Sequence, residues 1–65
     1  MKDKNDKEIS IGELVSVENH PELVLQCNWI ILDKIEYNMT VDLILQNATT
    51  NEICFIPILD VKRQF

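Results

Sequence analysis

The stretch LVLQCNWIILDKIEYNMTVDLIL, residues 23–45, decides the fold. Its odd positions carry Leu23, Leu25, Cys27, Trp29, Ile31, Ile35, Tyr37, Met39, Val41, Leu43 and Leu45, and only Asp33 interrupts the row. The even positions carry Gln26, Asn28, Lys34, Glu36, Asn38, Thr40 and Asp42, with Val24, Ile30, Leu32 and Ile44 as apolar exceptions. Alternation with a period of two puts one set of side chains on one side of an extended chain, so the stretch predicts half-buried β-strands. A helix from Pro21 to Ile35 is the rival reading, because proline suits the first helical position. Composition sides with strands. The chain has nine Ile, five Val and three Thr against a single Ala, and β-branched side chains pack on a pleated surface while losing rotamer freedom in a helix.

On the N-terminal side, Ile9, Ile11, Val15 and Val17 also fall on odd positions, interrupted at Gly12-Glu13-Leu14. A bulge or bend at Gly12 accounts for the interruption. Asn19-His20-Pro21-Glu22 reads as a turn, since proline fixes φ and pushes the residue before it to an extended conformation. On the C-terminal side, Asn47-Ala48-Thr49-Thr50-Asn51 is a loop of turn formers and Glu52–Val61 the last strand, followed by Lys62-Arg63-Gln64-Phe65.

Parity then suggests a pairing. A five-residue loop closed by Gln46 and Glu52 sets Leu45 opposite Ile53, Leu43 opposite Phe55 and Met39 opposite Leu59, all on one core face. Pro57 then lies opposite Val41 and, lacking an N–H, makes its strand an edge or bulged strand. The preceding hairpin is placed around Asp33-Lys34 with a loop of three or five residues. This scheme leaves Ile30, Leu32, Ile44, Cys54, Ile56 and Ile58 on a second face, which the curl of the sheet or another chain must cover.

The expected fold is therefore all-β: a small antiparallel barrel or curled sheet of four to five strands over residues 9–65, behind a disordered tail of residues 1–8. The tail reading rests on MKDKNDKE, where three lysines cancel three carboxylates and no apolar residue follows Met1. The net charge of −5 thus belongs wholly to residues 9–65, with eight acidic and three basic side chains. The outline resembles SH3-like and Sm-like barrels, with no motif of either family and only one Gly for sharply bent strands.

Sixty-five residues allow one domain with a small core. A sequence pI near 4.5 argues against direct binding to a phosphate backbone. The polar N-terminus has no signal-peptide pattern, and no unbroken apolar run exceeds the four residues of Trp29–Leu32, so a cytoplasmic location without membrane association is expected. The sequons at Asn38 and Asn47 then carry no meaning. Two cysteines make no disulfide framework and read as buried free thiols.

The catalytic inventory is one histidine, His20, and two serines, Ser10 and Ser16, with no nucleophile, phosphate-loop or zinc-protease motif. Cys27, Cys54 and His20 match no zinc spacing, and parity sends the two cysteines to opposite faces. No enzyme activity, metal or cofactor is expected. By elimination the chain reads as a non-catalytic protein-binding module, a small acidic regulator or inhibitor of the phage type, or a subunit of a larger assembly. Its candidate contact residues are Ile30, Leu32, Ile44, Ile56 and Ile58 with Glu36 and Asp42, and its partner is another protein or a second copy of itself. The alternatives are a nucleic-acid mimic that inhibits a DNA-acting enzyme, and an Sm-like or SH3-like barrel associated with nucleic acid.

Overall fold

The computed structural model describes residues 1–24 and 28–64, apart from the side chains of Leu23 and Val24. The expectations for the side chains of Leu23 and Val24, and for Leu25, Gln26, Cys27 and Phe65, lie outside the described residues. Five strands form one antiparallel sheet: β1 (Leu14–Val17), β2 (Trp29–Glu36), β3 (Val41–Asn47), β4 (Ile53–Pro57) and β5 (Val61–Arg63). Their order is β4-β3-β2-β1-β5. Among the described residues β4 and β5 do not pair, so the sheet is open.

Among the described residues, helical structure is limited to one turn, α1 (Pro21–Val24), and a 3₁₀ turn at Ile58–Asp60. Pro21 does open a helix, as its fixed φ allows, but β2 starts at Trp29 rather than in the low twenties. Asn28, in the left-handed region at φ 67°, leads into that strand. Gly12 bends the chain as expected: its φ is +94°, and its N–H donates to the Ile31 carbonyl at 2.8 Å. The bend delays β1 to Leu14 and leaves Ile11 exposed.

The hairpin expected at Asp33-Lys34 is not there. β2 runs straight through both residues, and the interruption at Asp33 is a β-bulge: Ile31 pairs with Leu45, but Asp33 pairs with Ile44. Leu32 is the extra residue. The bulge reverses parity, so Trp29 and Ile31 point to the core before it, while Asp33 and Ile35 share the outer side with Ile44 and Asp42 after it. The chain turns instead at Asn38-Met39, where the Tyr37 N–H donates to the Thr40 carbonyl at 2.8 Å.

The last hairpin differs by one residue, with large consequences. Its loop is Ala48–Asn51, closed by the Asn47 N–H on the Glu52 carbonyl at 2.8 Å. The buried Asn47 carboxamide accepts from the N–H groups of Thr49 (2.8 Å) and Thr50 (3.0 Å), and Asn51 takes a left-handed φ of 65°. Leu45 therefore pairs with Cys54 and Leu43 with Ile56, not with Ile53 and Phe55. A one-residue slip sends every side chain of a strand to its other face. Ile56 is 3% exposed and Cys54 packs against the core, whereas Ile53 and Phe55 are 56% and 61% exposed. Pro57 lies opposite Asp42 on the edge strand β4, where a residue without an N–H is tolerated.

The core is Ile9, Val15, Val17, Trp29, Ile31, Leu43, Leu45, Ile56 and Val61, all on the inner face of the sheet or packed against it. Trp29 sits at its centre, between Val15 on β1 and Asn47 on β3.

Residues 1–8 are folded rather than a disordered tail. The Asp3 carboxylate is buried and accepts three backbone N–H groups, from Asn5 (2.8 Å), Lys7 (2.9 Å) and Arg63 (2.6 Å). The Lys4 N–H donates to the Val61 carbonyl at 3.0 Å, so the segment lies along the outer edge of β5 and covers it. Burial opposes ionisation of Asp3, but the three N–H groups and the charge of Lys7 outweigh it and hold its carboxyl below the ordinary range. Apolar content missed this segment because a carboxylate on backbone amides, with Met1 and Ile9 on the core, anchors it.

In urea unfolding, Ile56→Ala is expected to cost about 2–4 kcal/mol and Phe55→Ala under about 1 kcal/mol; the reverse order would restore the odd-faced register. Asp3→Ala is expected to cost about 2 kcal/mol at neutral pH. The ionised carboxylate stabilises the fold fully above its unfolded value, near 3.8. That stabilisation is lost as pH falls through the lowered folded value, so the gap to wild type narrows only in strong acid. A pH-independent gap would remove the carboxylate's charge from the account.

Candidate functional site

The register and the bulge together compose the outer face of the sheet. One row runs Ile53, Gln46, Ile30 and Leu14 across β4, β3, β2 and β1. The next is Phe55, Ile44 and Asp33, and the third Pro57, Asp42 and Ile35. Ile53, Phe55 and Leu14 are exposed, and Ile30, Ile35 and Ile44 are half-buried. Aliphatic and aromatic side chains thus alternate with Asp33, Asp42 and Gln46 over β2–β4.

A second apolar surface lies at the tip of the β2–β3 hairpin. An open groove of about 430 Å³ is lined by residues 36–41 and 57–59. Three of its walls stand in solvent: Met39 is 95% exposed, Leu59 71% and Tyr37 56%. Neither Asn38 nor Met39 adopts a positive φ, whereas turns that match the twist of a tight hairpin need one. Met39, Leu59 and Tyr37 were expected to face the core. The bulge, the turn at Asn38-Met39 and the 3₁₀ turn at Ile58–Asp60 carry them out of it.

The structure divides the residues expected to form one contact face. Ile30, Ile44 and Asp42 are on the outer face. Leu32 is exposed at the bulge. Ile56 is core and unavailable to a partner, because the four-residue loop turns it inward. Ile58 packs against the core from the 3₁₀ turn and lines the groove with Glu36, whose carboxylate holds the Lys34 ammonium at 2.7 Å. Sequence reasoning placed Ile53, Phe55, Tyr37, Met39 and Leu59 in the core. Asn51, a residue tolerant of left-handed backbone just before Glu52, was the signal for the shorter loop.

Charge is distributed unevenly over these surfaces. Residues 35–61 contain four carboxylates, Glu36, Asp42, Glu52 and Asp60, and no Lys or Arg. Around β1 and β5 the signs are balanced: Glu18 meets Lys4 and, at 3.6 Å, Lys62, and Glu13 meets Arg63 at 4.0 Å. The Asp60 carboxylate accepts from the Asn19 carboxamide at 3.1 Å and faces the His20 Nε2 at 2.9 Å, and these two bonds hold it below the ordinary range. His20 thus ties the turn after β1 to the 3₁₀ turn. Burial and the nearby Glu52 carboxylate push the Cys54 thiol up, which lowers its reactivity. Among the described residues, no group of three or more His, Cys, Asp or Glu is placed to hold a metal ion, and no helix is long and apolar enough to cross a membrane.

Comparison with protein-family models, curated proteins and solved structures returned no match.

Replacing both Met39 and Leu59 by Ser is expected to change the unfolding free energy by under about 1 kcal/mol, since both are exposed, while reducing the fluorescence of a bound apolar dye. Undiminished fluorescence would place the dye-accessible surface on the outer face of the sheet.

Proposed function

We propose that this protein is a non-catalytic protein-binding module, a small acidic regulator, inhibitor or assembly subunit acting in the cytoplasm. The observation that carries the reading is the outer face of β2–β4, which presents Ile30, Ile44, Ile53 and Phe55 between Gln46, Asp33 and Asp42, with Ile53 and Phe55 exposed. A chain this small has little stability to spare, and apolar area of this kind is stabilised by a partner that binds only the folded state. Among the described residues β4 is an edge strand beside the same surface, so a partner strand adjoining Ile53 and Phe55 would also find backbone groups to pair with.

Phe55→Asp tests the reading. The substitution places a carboxylate on the outer face and leaves the core residues Cys54 and Ile56 in place. Wild type is expected to retain a specific protein in affinity capture, or to form a multimer by light scattering, and Phe55→Asp to lose that association while its circular dichroism stays native. Association that survives the substitution would show that the face is not the binding surface.

Mimicry of nucleic acid is the second reading, and the absence of any base over residues 35–61 favours it. It requires binding to a DNA-acting enzyme with an affinity that falls steeply with salt; a salt-insensitive affinity would exclude it. The outer-face carboxylates are interleaved with isoleucines rather than set in a continuous row, and this arrangement suits a protein surface better than a phosphate track.

A further inference from the structure

We infer that the outer face of β2–β4 receives a basic amphipathic segment of another protein, one that carries Lys or Arg among aliphatic side chains. The inference rests on the protein-binding reading and adds the chemistry of the partner. Asp33 stands in the row of Phe55 and Ile44, and Asp42 stands between Pro57 and Ile35. Among the described residues, no ion pair is formed by either carboxylate. The nearest cation in sequence, Lys34, lies opposite Leu43 with its ammonium on Glu36, and it reaches the Asp33 carboxylate through its backbone N–H at 2.8 Å.

An apolar contact laid over this face takes both carboxylates out of water. A buried charge is costly unless it is paired, so the covering surface must bring cations spaced among its apolar groups. A second copy of this chain does not bring them. Its own outer face offers Asp33 and Asp42 again, and Lys62, on the far strand β5, is already engaged with Glu18 at 3.6 Å. Nucleic acid and anionic lipid surfaces carry the wrong sign. A cationic segment with aliphatic side chains meets both demands and is drawn in by the four carboxylates of residues 35–61.

The test titrates two synthetic peptides of about 14 residues into the isotope-labelled full chain, one of Leu and Lys and one of Leu and Glu. The Leu–Lys peptide is expected to shift the amide resonances of Asp42, Ile44, Ile53 and Phe55, and to lose about tenfold in affinity when the salt is raised from low to several hundred millimolar. Asp33→Asn with Asp42→Asn is expected to weaken it about tenfold, with an unchanged fold. Equal binding of the Leu–Glu peptide, shifts confined to Tyr37, Met39 and Leu59, or no shifts would overturn the inference. So would a solution mass of two chains that Phe55→Asp reduces to one, because the occupant is then a second copy. That last outcome leaves the protein-binding reading standing, whereas loss of all association at this face removes both.

Discussion

The carboxamide of Asn47 shapes the loop on which the register of β3 and β4 depends. By accepting the N–H groups of Thr49 and Thr50 it holds the loop to four residues, and Asn51 completes the return in a left-handed conformation. Loop length sets the register of a hairpin, and register sets which face each residue occupies. With Asn47 closing on Glu52, Ile56 enters the core opposite Leu43 while Phe55 and Ile53 leave it. The composition of the core and that of the outer surface are two sides of the same choice.

The bulge at Leu32 works in the same way on β2. It moves Asp33 and Ile35 to the outer face and leaves Trp29 and Ile31 inside. The two devices together place two carboxylates within an apolar surface on β2–β4. They also free the hairpin tip, so that Tyr37, Met39 and Leu59 surround a groove rather than fill the core. The opposite end of the sheet is closed by other means. Asp3 and Lys4 bond to the backbone of Arg63 and Val61, and β5 is thereby sheltered. Among the described residues β4 is an edge strand of the sheet, and it carries the exposed Ile53 and Phe55.

This arrangement gives the molecule two unlike ends. Around β1 and β5, charges of both signs meet in ion pairs and the N-terminal segment is bonded down. Around β3 and β4 the charge is all negative, and Ile53, Phe55, Met39 and Leu59 stand exposed among polar side chains. The proposed partner is one that would cover the apolar side chains of this second end and meet its carboxylates.

The all-β antiparallel class, the edge character of the strand holding Pro57 and the bend at Gly12 were legible in the sequence, because each depends on local chemistry: side-chain period, a missing N–H, a backbone without Cβ. The identity of the two faces was not. Period two states that alternate residues share a side, but one inserted residue, such as Leu32, or one residue fewer in a loop reverses the assignment beyond it. The hydrogen bonds that fix these counts close only when β3 and β4 are side by side. For the same reason the role of Asp3 was hidden. Its partner Arg63 lies sixty residues away in sequence, and only the folded sheet brings that backbone N–H to the carboxylate.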